Sequence, residues 1–485
     1  MDTKINNNKE LKLWEALIPV VALIGMLAFN VFIYGDASLG GSNQFVLLLG
    51  GAVAAIMGYF NKISFHKMFD EVSNNIKSTA GAILILLMVG ALAGTWMVSG
   101  IIPSMIYYGL QILSPTIFLP ATLIICSVIS IATGSSWTTS ATVGIALIGI
   151  GGALGFDLGM VAGAVISGAY FGDKLSPMSD TTNLAPAMAG TDLFTHIKYM
   201  TLTTIPTYII TLILFIILGL SIEVKGDVNT NELLTAITTS FNVSPWLFLV
   251  PVIVIGLIVK KTEPLVALLV GTLLAGIFAV IFQPQIINQI AGVETMDFKS
   301  AYKGVMDSIT SKVIVPTENK TLADLFTSGG MAKMLPTIWL ILCAMVFGGI
   351  MDAIGALARI SESLLKLAHT TFGLFASTVG SCLALNITAS DQYLAIVVPG
   401  KMFAKAYKDK GLAPENLSRT LEDTGTVTSV LVPWNTCGAY QAGTLGVSTL
   451  DYLPYAFFNI ISPFMTLIFA AFNIKIKQLV AEIKK

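Results

Sequence analysis

Five carboxylates stand where an unpaired charge is costly: Asp173, Asp180, Asp391, Glu422 and Asp423 all lie in or beside apolar stretches. A carboxylate at the centre of a bilayer costs about 2.5–3.5 kcal/mol on insertion scales, so it persists when it is paired, protonated or binding a cation. Asp180 sits among Ser179, Thr181, Thr182 and Asn183, all short oxygen donors. Carboxylate, hydroxyl, amide and carbonyl oxygens suit a hard cation such as sodium. The same residues also suit an Asx-type turn or helix cap that only satisfies broken backbone. Both readings stay open at this point, and a second cluster of the same kind, Glu422-Asp423-Thr424-Gly425-Thr426, favours the first.

Asp391 follows Ser390 in the polar run Asn386–Asp391, where it is either a ligand or a solvated cap near Lys401 and Lys405. Asp173 is adjacent to Lys174, and a buried Asp–Lys pair is either structural or a proton-exchange element. Ser135 and Ser136 lie in a second polar run, Thr133–Ser140. The candidate ion- and substrate-binding residues are therefore Ser135, Ser136, Asp180, Thr181, Thr182, Asn183, Asp391, Glu422, Asp423 and Thr424. Asp173, Asp180 and Asp423 are the candidates for proton coupling. Asp36, Asp157 and Asp192 border apolar runs beside glycines or threonines and read as solvated loop positions, whereas Asp352 falls inside one. His66, His196 and His369 lie near lysines in predicted connections and read as solvated. Both arginines, Arg359 and Arg419, fall in such connections too.

No GxxxxGK[ST], HExxH or GxSxG pattern occurs, which argues against an ATP-driven pump, a zinc protease and a serine hydrolase. Cys126, Cys343, Cys382 and Cys437 form no CxxC and lie in apolar surroundings, so they read as core packing. The expectation is a protein that is not an enzyme, needs no cofactor and binds no nucleic acid.

What must position these residues is set by the solvent. Hydrophobic residues make up 55% of the chain and charged residues only 11%, a balance that a water-exposed surface could not carry. Nothing between Ser78 and Phe156 is charged. Apolar segments fit to cross or half cross a hydrocarbon layer of about 30 Å run over 14–34, 45–60, 79–98, 117–133, 139–155, 158–171 and 199–222. The second half adds 245–259, 264–283, 335–357, 371–386, 392–400, 424–435 and 451–472. Lys4, Lys9 and Lys12 precede Trp14 with no small-residue cleavage site after it, so the first segment reads as a retained helix.

Lysines and arginines flanking short loops concentrate on the cytoplasmic side. Most of the 27 basic residues sort to one side, with both termini cytoplasmic, if 117–133 with 139–155 and 371–386 with 392–400 each enter and leave on one face. These two pairs are then re-entrant hairpins of opposite sense, as an inverted-topology repeat requires. The predicted fold is an all-α polytopic membrane protein with two opposed re-entrant hairpins and two interrupted transmembrane helices. Its first repeat covers 1–244, with a hairpin near 117–155 and an interrupted helix near 158–190. The second covers 245–485, with a hairpin near 371–400 and an interrupted helix near 421–436. Interrupted segments in corresponding positions point to a midplane binding site, because unwound backbone is tolerated in a membrane only where it lines a cavity. Pro177, Pro186 and Pro433 are the expected breakers. Gly151, Gly155, Gly159 and Gly163 recur every four residues and are expected to bare one helix face. Residues 284–334, with Asn288, Glu294, Asp297, Lys303, Asp307, Lys312, Glu318, Lys320 and Asp324, read as a partly helical extramembrane cap.

Gly172-Asp-Lys-Leu-Ser-Pro-Met-Ser-Asp-Thr-Thr-Asn-Leu-Ala-Pro186 resembles the signature of the NhaC-type Na+/H+ antiporters, and Gly134-Ser-Ser-Trp-Thr138, Glu422–Ser429 and Val432–Gly438 extend the resemblance over nearly the whole chain. The resemblance implies a scaffold part and a part carrying opposed hairpins. It also implies sodium at Asp180, Thr181, Asn183 and Asp423, alternating with protonation of a carboxylate whose desolvation raises its affinity for a proton. One site would then serve both ions in turn. Some similar proteins exchange malate for lactate, or move amino acids, so a sodium- or proton-coupled exchanger of small organic solutes is the alternative. A bacterial cytoplasmic membrane is the implied location, with sodium, protons and lipid as partners and a homodimer as an open expectation.

Overall fold

The computed structural model describes residues 11–34, 40–221, 230–317, 323 and 326–479. Asp36, Lys4, Lys9, Glu318, Lys320 and Asp324 lie outside these. Eight of the described helices are long and apolar enough to cross a membrane, and two bent pairs would raise the number to ten. Helices are what an apolar solvent demands, since every backbone N–H and C=O must find its partner within the segment.

Local sequence sets where these helices begin and end. Phe65–Val98 opens with the Ser64 hydroxyl accepting from the Lys67 N–H at 3.3 Å. Its 34 residues span roughly 50 Å at about 1.5 Å per residue, more than a hydrocarbon layer. The charged residues Lys67, Asp70, Glu71 and Lys77 accordingly lie in its first turns, before the charge-free stretch begins. Pro115 and Pro264 occupy the first turns of Pro115–Thr133 and Pro264–Phe282, where a missing N–H costs nothing.

The helices fall into two packed groups. Leu13–Tyr34, Ser42–Phe60, Phe65–Val98, Pro264–Phe282 and Leu335–Ala353 pack on one another. Pro115–Thr133, Leu158–Leu175, Leu193–Ser221, Thr371–Thr388, Gln392–Asp409 and Phe457–Ala471 form the other, with the interrupted segments among them. Within it, Pro115–Thr133 approaches Leu158–Leu175 so closely that a Cβ on Gly168 would stand 2.3 Å from the Leu123 carbonyl oxygen. One on Gly172 would stand 2.5 Å from that of Ser127.

Three expectations change here. The four-residue glycine spacing does not bare one helix, because the helix ends at Ala153 and Gly155 turns the chain with φ 79°. Gly159 and Gly163 instead admit the backbone of Asp451 and Tyr455. Pro186 does not break a helix and lies inside Asp180–Ala189. Sequence periodicity also passed over Ile101–Ile112, a helix of 12 residues that starts after Gly100. Residues 284–334 are partly helical, with Pro284–Ala291 and Phe298–Thr310 followed by a two-residue antiparallel pair, Val313–Ile314 with Thr327–Ser328. Asp297 and Ser300 form a reciprocal capping box at the second of these helices. All four cysteines are buried and unlinked.

Candidate functional site

The first polar run turns a hairpin. Pro115–Thr133 ends at Gly134, whose φ of 69° disfavours a side chain and whose missing Cβ leaves room for Met178. Ser135 then caps the return helix by accepting from the Thr138 N–H at 3.2 Å. The return runs from Ser136 to Ala153 through a π-turn at Ser140–Gly144.

The helix Leu158–Leu175 stops at Ser176 and a new one starts at Asp180. Pro177 lies in the gap, and Ser179 caps the new helix. The side chains beyond it repair the break: the Thr182 hydroxyl donates to the Lys174 carbonyl at 3.1 Å, and the Asn183 amide donates to Ser179 O at 2.7 Å and Pro177 O at 3.0 Å. Thr182 and Asn183 thus satisfy backbone, as the capping alternative had it. Asp180, at the helix start, is exposed, and the buried Thr181 hydroxyl lies 3.2 Å from that of Ser179.

The second hairpin, Thr371–Thr388 and Gln392–Asp409, turns at Ala389–Asp391. Asp391 is both a cap and buried, accepting from the Leu394 N–H at 3.0 Å, and it is not the solvated cap of the alternative reading. Pro414–Leu421 continues into a π-helical stretch, Glu422–Thr426, and a single turn, Ser429–Leu431, before the chain unwinds and Thr436–Leu445 begins. The second hairpin braces this unwound segment. Trp434 Nε1 donates to Ile387 O at 2.8 Å, Asn435 Nδ2 to Asn386 O at 3.0 Å, and the Thr436 N–H to Ser390 O at 3.0 Å.

Both hairpin tips and both breaks meet at a cavity of about 520 Å³. Its wall carries Ser135, Ser136, Trp137 and Thr138 from the first tip, and Asp391, Gln392 and Tyr393 from the second. Asp173, Ser179, Asp180 and Thr181 come from the first break, and Thr436 ends the second. The other packed group closes it with Ser78, Thr79 and the loop holding Lys261 and Glu263. Asp173 ties tip to break, its carboxylate accepting from the Ser136 hydroxyl at 2.7 Å and N–H at 3.2 Å. Three carboxylates of the candidate set therefore share one chamber.

Asp423 is not among them. It is fully buried and accepts from the Lys174 ammonium, from the Thr203 hydroxyl at 2.8 Å and from the Thr466 hydroxyl. The single site expected to unite Asp180 with Asp423 is two places. Lys174 pairs with Asp423 rather than with its neighbour Asp173, and it also donates to the Ser462 hydroxyl at 3.3 Å. Glu422 is buried as well, and neither of its oxygens, nor the Thr424 hydroxyl, has a hydrogen-bond partner among the described residues.

Two further expectations are corrected. His196 is fully buried, its Nδ1 lying 2.7 Å from the Ser418 hydroxyl, while His66 and His369 are exposed as expected. Arg419 is fully buried too, its guanidinium 4.7 Å from the Tyr199 ring centre. Asp157 and Asp192 cap the helices that follow them, and the Thr195 hydroxyl and N–H hold the exposed Asp192 carboxyl below its ordinary pKa. Sequence reasoning missed Thr203, Ser462 and Thr466. One signal existed: Thr203, Thr207 and Thr211 recur every four residues along an apolar helix, and all three are buried.

The fold and the site define a polytopic helical membrane protein built around an acidic, hydroxyl-lined chamber between two hairpin tips and two broken helices. Residues 168–474 match the Na+/H+ antiporter family. The chain is 37% identical over 422 residues to the Na+/H+ antiporter NhaC of Alkalihalophilus pseudofirmus, covering 87% of this chain and 88% of that one. It is 36% identical to the malate-2H+/Na+-lactate antiporter of Bacillus subtilis, covering 94% of each, and 34% identical to the arginine/ornithine antiporter ArcD of Halobacterium salinarum, covering 94% and 90%. The chain belongs to the Na+/H+ antiporter family.

Proposed function

We propose that this protein is a secondary transporter that exchanges sodium for protons across the bacterial cytoplasmic membrane by alternating access, with the acidic chamber as its binding site. The chemistry of the chamber wall carries the reading. Asp173, Asp180 and Asp391, with the hydroxyls of Ser135, Ser136, Thr138, Ser179, Thr181 and Thr436, offer a hard monovalent cation only oxygen ligands. A sodium ion arriving at a carboxylate favours its charged form and so competes with a proton for it. Each pH unit of gradient supplies about 1.36 kcal/mol to that exchange.

Alternating access is supported by the second break. Pro433 and Trp434 line a separate, mostly apolar cavity of about 590 Å³, while Thr436 lines the acidic one. Residues 433–436 are thus a shared wall that a small rearrangement could transfer from one side to the other. Each half of the chain, 1–244 and 245–485, supplies one hairpin and one interrupted helix, which supports an inverted repeat. Lys261 and Glu263, on the chamber wall, belong to a lysine-bearing connection, which supports access to the chamber from the cytoplasmic side.

The chamber is several times larger than one ion, and two relatives are named for organic solutes, so a second reading is exchange of a small organic molecule. Lys261 is the one basic side chain on the wall among the described residues. That balance favours a cationic amino acid over a dicarboxylate.

The test is sodium-dependent proton movement in proteoliposomes holding the purified protein and a pH dye, with no organic solute present. A saturable pH change on adding sodium supports cation antiport. Silence that malate, lactate, arginine or ornithine relieves supports the organic exchanger, and silence throughout counts against both.

A further inference from the structure

The surroundings of the Lys174 ammonium are those of a bound cation. Lys174, Asp423, Thr203, Ser462 and Thr466 are all at or below 1% exposure, so the cluster is sealed from the chamber. The nitrogen meets one Asp423 carboxylate oxygen and the Ser462 hydroxyl, and the other carboxylate oxygen accepts from Thr203 and Thr466. The Phe458 ring centre lies 5.6 Å from the nitrogen. A carboxylate and three hydroxyls, drawn from the second break and from the helices Leu193–Ser221 and Phe457–Ala471, are a donor set that a sodium ion would also accept. The lysine arrives from a different element, the last turn of the helix ahead of the first break.

We propose that this cluster is a latent second monovalent-cation site, held by the Lys174 side chain as a tethered cation, so that the protein carries one fewer free sodium ion than its carboxylates could bind. The inference goes beyond the chamber and rests on the reading that the protein handles monovalent cations. Lys174 and Asp423 bridge the two interrupted helices, so the tethered charge also links the two breaks. Glu422, next to Asp423, lies outside this donor set.

The test uses the full-length purified protein and three variants: Lys174→Met, Asp423→Asn, and the two together. Sodium binding is counted with radioactive sodium, and thermal unfolding is followed in sodium and in choline. Lys174→Met should bind one sodium ion more per chain than wild type and melt several degrees higher in sodium than in choline. Adding Asp423→Asn should return both readings to those of wild type. The inference is overturned if Lys174→Met binds no additional sodium and its unfolding ignores the cation. It is equally overturned if Lys174→Met fails to fold with or without sodium while the double variant folds. Loss of sodium binding by wild type itself would sink the chamber reading instead, a separate result from any change at Lys174.

Discussion

The two breaks share an Asp-Thr core, Asp180-Thr181 and Asp423-Thr424, and live in opposite surroundings. At the first, Asp180 is exposed to a chamber and Thr182 and Asn183 mend the backbone beside it. At the second, Asp423 is sealed in and fully engaged by a lysine and two threonines. An open carboxylate is free to trade a proton for an ion, whereas a saturated one in a dry interior is held by its partners. The role of each cluster therefore follows from what the rest of the chain packs against it.

Asp423→Asn should break the comparison hardest. It strands the Lys174 ammonium in the interior, a change that costs about 3–5 kcal/mol where a buried pair loses one partner, and thermal unfolding in detergent should show it directly. Asp180→Asn should do the reverse: sodium-coupled flux disappears while the stability stays within the range of surface substitutions, about ±0.5 kcal/mol. If Asp180→Asn transports normally, Asp180 leaves the site; if Asp423→Asn is as stable as wild type, the buried pair is not holding the breaks.

Asp391→Asn separates the two roles of that residue. Asparagine caps a helix about as well as aspartate, so the second hairpin keeps its shape while the chamber loses a charge. The expected result is a rise of about tenfold in the sodium concentration for half-maximal flux, equivalent to about 1.4 kcal/mol. Asn183→Ala tests whether the first break is repaired as described. Losing the bonds to Pro177 and Ser179 should lower stability by about 1 kcal/mol and leave the apparent sodium affinity unchanged; a marked affinity loss would restore Asn183 as a cation ligand.

Asp192, outside both breaks, sets the baseline. Its pKa is depressed in the folded protein by Thr195, so its contribution is present above the ordinary carboxylate value, about 3.9, and fades as the pH falls through the folded value. The small melting difference between wild type and Asp192→Asn should shrink over that acidic range, and one that persists there would rule out the charge as its source.

Much of the architecture was legible from residue order. The apolar runs became helices except 424–435, where the helix breaks up and unwinds, both polar tips became hairpin turns, and Pro177 and Pro433 fell in unwound segments. Ser135, Ser136, Asp173, Asp180, Thr181 and Asp391 do meet at one chamber. Thr182 and Asn183 were legible in type but not in use, because the same oxygen and amide groups serve an ion or a broken backbone equally well.

The solvent, the helical class and the break at Pro177 are legible in residue order by itself, since hydropathy, proline and capping residues act over a few neighbouring positions. The helix Ile101–Ile112 and the place of Pro186 inside a helix are not. Tertiary structure alone decided that Lys174 reaches Asp423, 249 positions along the chain, and not Asp173 beside it. It also decided that His196 and Arg419 are buried and that Thr203, Ser462 and Thr466 gather around one carboxylate. The physical reason is directional. Adjacent residues on a helix point about 100° apart, as 3.6 residues per turn requires, so Asp173 faces the chamber while Lys174 faces the interior, and only the packing of distant helices supplies the partner each one finds.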